Sequence, residues 1–329
     1  MRGPPSIPSA DDGGLMTALF VPDRTGAPLD ADLARIQAAI QESGRYPIGF
    51  DIPGPEARRR ARERDAEFYA PEAFDVASIE DTVIHLATRD IPVRIQRPHE
   101  PKGGTVVYFH GGNWIHGDLD SHQSSAARLA LRTGATVVQV DYRLAPEHPF
   151  PAAVDDACDA LKWSVDNVGG LGGDPQRVAV AGDSSGGNLA AVAAQWARDE
   201  GILLAAQLLL YPVTFLGDFA RELVGRQYLG DALDTVGEDP RLGPAFGRLE
   251  GLAPAIVGVG EHDFLYEDNI AYARALADAD VAVTLRVFPT LPHGFFGHGA
   301  SSPTADAAAD LLCRDLAGAL SEPRTEAAR

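Results

Sequence analysis

The sequence predicts an α/β protein with a mostly parallel central sheet of about eight strands flanked by helices. Two observations lead to this prediction. Strand-like runs alternate with helical segments from residue 105 onwards, and the runs at 105–109 (TVVYF) and 206–210 (AQLLL) are almost uniformly apolar. Apolar strands of this kind are buried on both faces of a parallel sheet. Functional residues are then expected at the carboxyl ends of the strands.

Eight runs have the composition of strands, and the first two of them could pair antiparallel. These runs are 82–88, 93–97, 105–110, 136–141, 177–182, 206–211, 255–260 and 281–288. Five segments with helical spacing of apolar residues separate or follow the later strands. They are 121–132, 152–167, 185–200, 266–278 and 305–320.

Two further helical segments, 29–43 and 55–70, precede every strand and indicate an N-terminal appendage. Between residues 211 and 252 the alternation gives way to Gly, Asp and short apolar pieces, which predicts an inserted, partly helical lid. A chain of 329 residues therefore accommodates one catalytic domain and an appendage.

The charge balance excludes some partners. The 47 acidic and 28 basic residues give a net charge of -19, which repels nucleic-acid backbones and anionic membranes. No run reaches the ~20 apolar residues of a membrane helix, so stable membrane insertion is not expected. The start of the sequence has no secretory pattern, so a cytoplasmic location is expected. Cys158 and Cys313 are expected to be free buried thiols, although a disulfide stays open.

The motif GDSSGGN at 182–188 follows a strand and opens an Ala-rich helix. This is the G-x-S-x-G pattern in the context it requires, because a sharp strand-to-helix turn needs tiny flanking residues and exposes the hydroxyl of Ser184. Ser185 competes as a nucleophile but occupies the variable position. A Gly/Ser-rich helix cap is the alternative explanation of the motif.

A serine nucleophile needs a base and an orienting carboxylate, which follow it in the order acid, then histidine. Asp263 and His293 each come just after a predicted strand. Glu261 and Asp268 are rivals for the acid, and His298 is a rival for the base.

The motif HGGNW at 110–114 also follows a strand directly. Glycines there let backbone amides approach a negatively charged oxygen, and losing one such donor costs ~3 kcal/mol in a serine hydrolase. The candidate donors are the amides of Gly111, Gly112, Asn113 and Ser185. A simple turn is the alternative explanation.

Together these motifs resemble the bacterial hormone-sensitive-lipase-like esterases, the family IV carboxylesterases and lipases of the α/β-hydrolase superfamily. The resemblance covers roughly residues 105–296. It is carried by HGGNW at 110–114, DYRLAPEHPFP at 141–151, GDSSGGN at 182–188, EHD at 261–263 and HGF at 293–295.

The resemblance implies an α/β-hydrolase fold with a helical cap. The cap would comprise residues 1–75 and a shortened second segment at 213–245, and the catalytic core residues 76–212 and 246–329. The implied activity is that of a serine carboxylesterase acting on short- to medium-chain esters through an acyl-enzyme. The expected partner is a small-molecule ester substrate, and the resemblance implies neither a cofactor nor a metal.

The implied triad is Ser184, Asp263 and His293, with an oxyanion hole of backbone amides at Gly112, Asn113 and Ser185. Three features depart from the family. Asn113 stands where the family usually has a third glycine, Ser185 stands where it usually has alanine, and the second cap segment is short. The backbone donors survive these changes, whereas the shape of the substrate cleft is altered.

Two other classes of function compete with this interpretation. A small-molecule receptor of the same fold would typically lack the histidine that this chain keeps. A metal-dependent hydrolase could use a cluster of His and Asp side chains, although its spacing is not that of a standard metallohydrolase. The cluster consists of His110, His116, Asp118, Asp120 and His122. A homodimer through an edge strand near Val281 is a further expectation.

Overall fold

The computed structural model describes residues 19–45, 52–214, 225, 227–233, 235 and 237–321. Eight strands form one sheet. They are β1 (Ser78–His85), β2 (Asp90–Arg97), β3 (Thr105–Phe109), β4 (Thr136–Val140), β5 (Val178–Asp183), β6 (Ala206–Leu210), β7 (Ala255–His262) and β8 (Val283–Pro292). Their order across the sheet is β1-β2-β4-β3-β5-β6-β7-β8. The pairs β1/β2 and β2/β4 are antiparallel, and all the others are parallel.

Seven helices are described along the chain. They are α1 (Ala31–Ser43), α2 (Gly54–Phe68), α3 (Gln123–Thr133), α4 (Ala152–Asp166), α5 (Ser185–Asp199), α6 (Tyr266–Asp278) and α7 (Pro303–Ser321). Every residue of β3, β4, β5 and β6 is buried, as their apolar sequences require of strands covered on both faces. The predicted α/β-hydrolase architecture is confirmed, including the antiparallel start of the sheet.

Buried apolar side chains form two clusters, which cover opposite faces of the sheet. Val107 and Phe109 of β3 belong to one cluster, whereas Val106 and Tyr108 belong to the other. This period of two places successive side chains on opposite faces of the sheet. The sheet is therefore the rigid layer from which the loops at its carboxyl edge project.

A buried cation joins three distant parts of the chain. Arg128 on α3 is fully buried, and its guanidinium binds Asp306 and Asp310 of α7 at 2.7 Å each. It also contacts Glu72, which precedes the sheet. A buried charge is tolerated only when it is paired and hydrogen-bonded, and here three carboxylates satisfy that requirement.

The described N-terminal residues cross the carboxyl ends of β7 and β8. The amide of Thr25 donates to Glu261 at 3.0 Å, and Nε2 of His262 lies 2.8 Å from the carbonyl oxygen of Ala27. The amide of Asp30 donates to the carbonyl oxygen of Thr290 at 2.8 Å. This segment therefore borders the edge of the sheet where functional residues are expected.

The predicted lid lies partly outside the described residues, which omit 215–224, 226, 234 and 236. Its described part includes the short helical turns Gly230–Ala232 and Pro244–Phe246. Cys158 and Cys313 are both free, as predicted, but only Cys313 is buried, and Cys158 is partly exposed. Within the described ranges, no helix is both long and apolar enough to cross a bilayer.

Candidate active site

Ser184 occupies a strained turn between β5 and α5. Its backbone has φ 54° and ψ -118°, a conformation that a residue with a side chain rarely adopts. The flanking glycines explain how the turn closes. A Cβ at Gly182 would lie 2.1 Å from the carbonyl oxygen of Gly186, and a Cβ at Gly186 would lie 2.1 Å from the carbonyl oxygen of Phe109. Larger residues at either position would push the turn apart.

Three side chains that are distant in sequence meet at this turn. Nε2 of His293 lies 2.9 Å from Oγ of Ser184, and Nδ1 of His293 lies 2.8 Å from Oδ2 of Asp263. Asp263 is buried, and its other oxygen accepts the amide of Leu265 at 2.7 Å. A carboxylate at Nδ1 fixes the proton on that nitrogen and leaves Nε2 free to accept the serine proton.

The rival acids and bases have other surroundings. Glu261 points to the N-terminal segment and accepts hydrogen bonds from Thr25. His298 is partly buried and stacks on Tyr69, with ring centroids 3.8 Å apart. Burial lowers the pKa of His298 to about 4. Its position is one of packing rather than of contact with Ser184.

Ser185 also has a different partner. Its Oγ accepts the amide of Trp114 at 3.3 Å, and the residue is fully buried at the start of α5. The side chain therefore joins the loop after β3 to the turn, and only Ser184 of the two serines contacts a histidine base.

The loop after β3 brings backbone amides towards Ser184. Gly112 has φ 122°, and a Cβ there would lie 1.9 Å from the carbonyl oxygen of His116, so the loop needs glycine at this position. Gly111 departs from the sequence prediction. Its amide donates to Oδ1 of Asp183 at 3.0 Å and is therefore not available to a substrate. The candidate donors are reduced to Gly112, Asn113 and Ser185.

Comparison with known proteins agrees with this geometry. Residues 106–297 match the family model described as alpha/beta hydrolase fold. The chain belongs to this family. The hydrolase is 40% identical over 294 residues to carboxylesterase NlhH of Mycobacterium tuberculosis. The alignment covers 83% of this chain and 91% of that protein.

Two further comparisons extend over most of the hydrolase. It is 36% identical over 307 residues to the ethyl acetate hydrolase of Pseudomonas putida, covering 84% of this chain and 95% of that protein. The solved structure of a hyperthermophilic esterase from Pyrobaculum calidifontis superimposes with a TM-score of 0.79 at 32% identity, covering 89% of this chain and 99% of that one.

A buried carboxylate that the sequence analysis did not single out lies beside the nucleophile. Oδ1 of Asp183 accepts the hydroxyl of Tyr108 at 2.6 Å and the amide of Gly111 at 3.0 Å, and its Oδ2 lies 3.6 Å from Nε2 of His122. Asp183 thus connects the turn of Ser184 to the loop that carries the candidate oxyanion donors. The sequence does contain a signal for this carboxylate, because Asp183 is an acidic residue at the end of a strand that is predicted to be buried.

The charges of this network support one another. Burial alone would raise the pKa of Asp183, but the neighbouring His122 and the hydroxyl of Tyr108 hold that pKa below its ordinary value. Burial likewise disfavours the protonation of His122, whereas the carboxylate of Asp183 outweighs it and raises the pKa of His122. An ionised Asp183 is the stronger hydrogen-bond acceptor, so it fixes Gly111 firmly.

The proposed metal-ligand cluster is dispersed over separate contacts. Asp118 binds Arg62 and Asp120 binds Arg94, while His122 faces Asp183. The remaining members are His110, whose Nδ1 lies 2.8 Å from the carbonyl oxygen of Gly111, and the partly buried His116. Among the described residues, no group of three or more His, Cys, Asp or Glu could hold a metal ion. The metal-ligand alternative was wrong because Asp118 and Asp120 bind arginines and His122 faces Asp183, so these side chains do not converge on one point.

Aromatic rings enclose the base. Tyr211 approaches the ring of His293 edge-on at 4.8 Å between centroids, and Phe264 packs against it at 4.6 Å. Tyr211 is buried, whereas Phe264 is 64% exposed. The sequence analysis missed Phe264, although its place directly after Asp263 was a signal.

Proposed function

We propose that the protein is a serine carboxylesterase that hydrolyses short- to medium-chain carboxylic esters through an acyl-enzyme intermediate. The observation that carries the proposal is the continuous hydrogen-bond chain from Asp263 through His293 to Ser184, at 2.8 and 2.9 Å. The names of the relatives, among them a carboxylesterase and an ethyl acetate hydrolase, support the ester class.

Acylation begins when the hydroxyl oxygen of Ser184 attacks the ester carbonyl carbon and its proton passes to Nε2 of His293. Asp263 stabilises the imidazolium and keeps its ring oriented. The carbonyl oxygen becomes negative in the tetrahedral intermediate and is bound by the amides of Gly112, Asn113 and Ser185. The carbon–oxygen bond to the alcohol then breaks, and the alcohol leaves with the proton of His293.

Deacylation repeats the sequence with water. His293 removes a proton from water, the hydroxide attacks the acyl carbon, and Ser184 leaves with the proton returned by His293. The network at Asp183 takes no proton in these steps. It holds the loop of Gly112 and Asn113 at the distance that the oxyanion requires, which makes Asp183 a positioning residue.

The proposal includes a cap over this site. Residues 1–75 would form its N-terminal segment and residues 213–245 its short second segment, on a core of 76–212 and 246–329. Two contacts support the first segment. Arg58 of α2 donates to the carbonyl oxygen of Ile115 at 2.8 Å, and Arg62 binds Asp118 at 2.9 Å, so α2 lies on the loop that follows the oxyanion donors.

The test of the function is hydrolysis of p-nitrophenyl esters from acetyl to dodecanoyl, combined with a fluorophosphonate probe. We expect hydrolysis of the shorter esters, labelling of Ser184, and no effect of EDTA. The Ser184→Ala variant should fold and lose both turnover and labelling. Ser164→Ala on α4, which removes a hydroxyl that donates to the carbonyl oxygen of Ala160, is the control that keeps both. A wild-type protein that neither hydrolyses nor labels would overturn the proposal in favour of a receptor.

A cytoplasmic location and a homodimer through the edge strand β8 are further parts of the proposal. The acidic composition and the two free cysteines support the first. The position of β8 at the end of the sheet supports the second, because an edge strand has unpaired backbone groups. Size-exclusion chromatography with light scattering tests the dimer, and a monomeric mass would refute it.

A further inference from the structure

Phe264 presents a large apolar surface at the mouth of the site. Its side chain is 64% exposed, although it directly follows the buried Asp263. Isolated exposed apolar side chains are common on protein surfaces. Phe264 differs from such residues because its ring packs against the ring of His293, with centroids 4.6 Å apart and an angle of 41° between the planes.

Among the described residues, Tyr211 is the second aromatic neighbour of the base, and it cannot serve a substrate in this way. Tyr211 contacts His293 at 4.8 Å between centroids, but it is only 1% exposed and also packs edge-on against Phe295. Tyr211 therefore supports the imidazole from within the protein. Phe264 is the aromatic neighbour of His293 that solvent, and hence a ligand, can reach.

The chemistry decides which half of an ester lies beside this ring. His293 delivers its proton to the alcohol oxygen, which must come within about 3 Å of Nε2. The carbonyl oxygen instead points to the backbone amides of Gly112, Asn113 and Ser185. The groups that flank the imidazole are therefore those that meet the alcohol portion of the ester.

Alcohols differ in the apolar surface that they can bring to Phe264. Because the two ring centroids are 4.6 Å apart, Nε2 of His293 lies within about 6 Å of the centre of the phenyl ring of Phe264. An ethyl group extends only about 2.5 Å beyond its oxygen, whereas a benzyl group extends about 5 Å. A benzyl group can therefore bury more apolar surface against this ring than an ethyl group can.

We infer that Phe264 is a specificity-determining residue for the alcohol portion of the substrate and favours esters of aromatic or bulky apolar alcohols. This inference rests on the proposed esterase function. Contact with the ring removes apolar surface of both partners from water, and edge or offset contacts between aromatic rings add to that gain. Phe264 is exposed, so the contact is available without rearrangement of the core.

The test compares two acetates of primary alcohols, ethyl acetate and benzyl acetate, so that the acyl group is constant and the leaving groups are of similar kind. We expect Phe264→Ala to lower kcat/KM for benzyl acetate about tenfold, mainly through KM, and to change that for ethyl acetate less than about twofold. Phe264→Trp should keep the preference. Ile79→Ala, which removes a 45% exposed apolar side chain on β1, is the matched control and should change neither.

An equal loss on both acetates would overturn the inference, because Phe264 would then act only through the orientation of His293. Unchanged kinetics on both acetates would overturn it as well. A second series of methyl esters with acyl groups of increasing length keeps the alcohol constant and varies the acyl side of the ester. An effect of Phe264→Ala confined to that series would contradict the inference. Labelling of Ser184 by the fluorophosphonate probe is measured in every variant. A variant that is labelled but has lost the preference for benzyl acetate tests this inference alone, whereas a wild-type protein that is not labelled contradicts the proposed function.

Discussion

Replacement of Asp183 by asparagine tests whether the oxyanion loop depends on a buried charge. The change leaves an acceptor oxygen but removes the negative charge that binds Tyr108, Gly111 and His122. Breaking a buried ion pair by altering one partner costs about 3–5 kcal/mol. Asparagine can still accept both hydrogen bonds at Oδ1 but loses the charge at Oδ2 that faces His122, which places the cost at the lower end of this range. We therefore expect Asp183→Asn to lower the free energy of unfolding by about 3 kcal/mol.

The catalytic effect follows from the link to Gly111. If the loop relaxes and one oxyanion donor moves out of reach, the transition state loses about 3 kcal/mol, which lowers kcat about 100-fold. KM should change less than about threefold, because the lost interaction belongs to the transition state. Steady-state kinetics on p-nitrophenyl acetate and urea denaturation of the same preparation measure the two effects.

A single-donor variant provides the control. Tyr108→Phe removes the hydroxyl that donates to Asp183 at 2.6 Å but keeps the ionised carboxylate and its bond to Gly111. It should cost about 1–2 kcal/mol of stability and keep kcat within about fivefold of wild type. The reasoning is refuted if Asp183→Asn loses stability while its kcat stays near the wild-type value.

Three other predictions concern the stability of the fold. Burial lowers the pKa values of His110, His116 and His298 to about 4, 3 and 4, so the unfolded chain binds more protons below pH about 6.5. Asp141, whose pKa burial raises to about 6, opposes one of these histidines between about pH 6 and 4. Thermal or urea unfolding should therefore show stability falling from about pH 6 towards 4, by at most about 3 kcal/mol per pH unit, and a flat profile would contradict this. Arg128→Met should cost about 3–5 kcal/mol in urea unfolding because Glu72 and Asp306 lose their cation, while Asp310 keeps Arg132. A neutral effect would contradict this prediction. Gly186→Ala should cost more than about 3 kcal/mol and abolish activity, and a stable, active variant would show that the turn can open.

The sequence predicted most of the fold because its signals are local. The alternation of apolar strands and helices can be read within windows of ten to twenty residues, and all eight strands overlap the predicted runs. The first is displaced, because β1 covers 78–85 rather than the predicted 82–88. The positions of Ser184, Asp263 and His293 could be predicted because the turn and the strand ends constrain them in a fixed order. Their roles remain a proposal for the labelling experiment to test.

Contacts made by tertiary packing were harder to foresee. Tyr108 and His122 meet Asp183 only because β3 lies next to β5 in the sheet, an arrangement that no local pattern reveals. The same neighbour relation gives the amide of Gly111 a carboxylate acceptor, which the sequence motif alone could not show. The acidic and histidine side chains near residue 120 looked like ligands because their cationic partners, Arg62 and Arg94, come from distant parts of the chain.

The ion cluster around Arg128 has a consequence for how the protein is made. During synthesis, Arg128 leaves the ribosome together with α3, well before Asp306 and Asp310 exist. Until α7 is complete, a guanidinium at the centre of this cluster has only Glu72 to neutralise it, and the nascent core cannot enclose it at low cost. The packing of α3 against α7 is therefore expected to be completed only after the last helix has been translated.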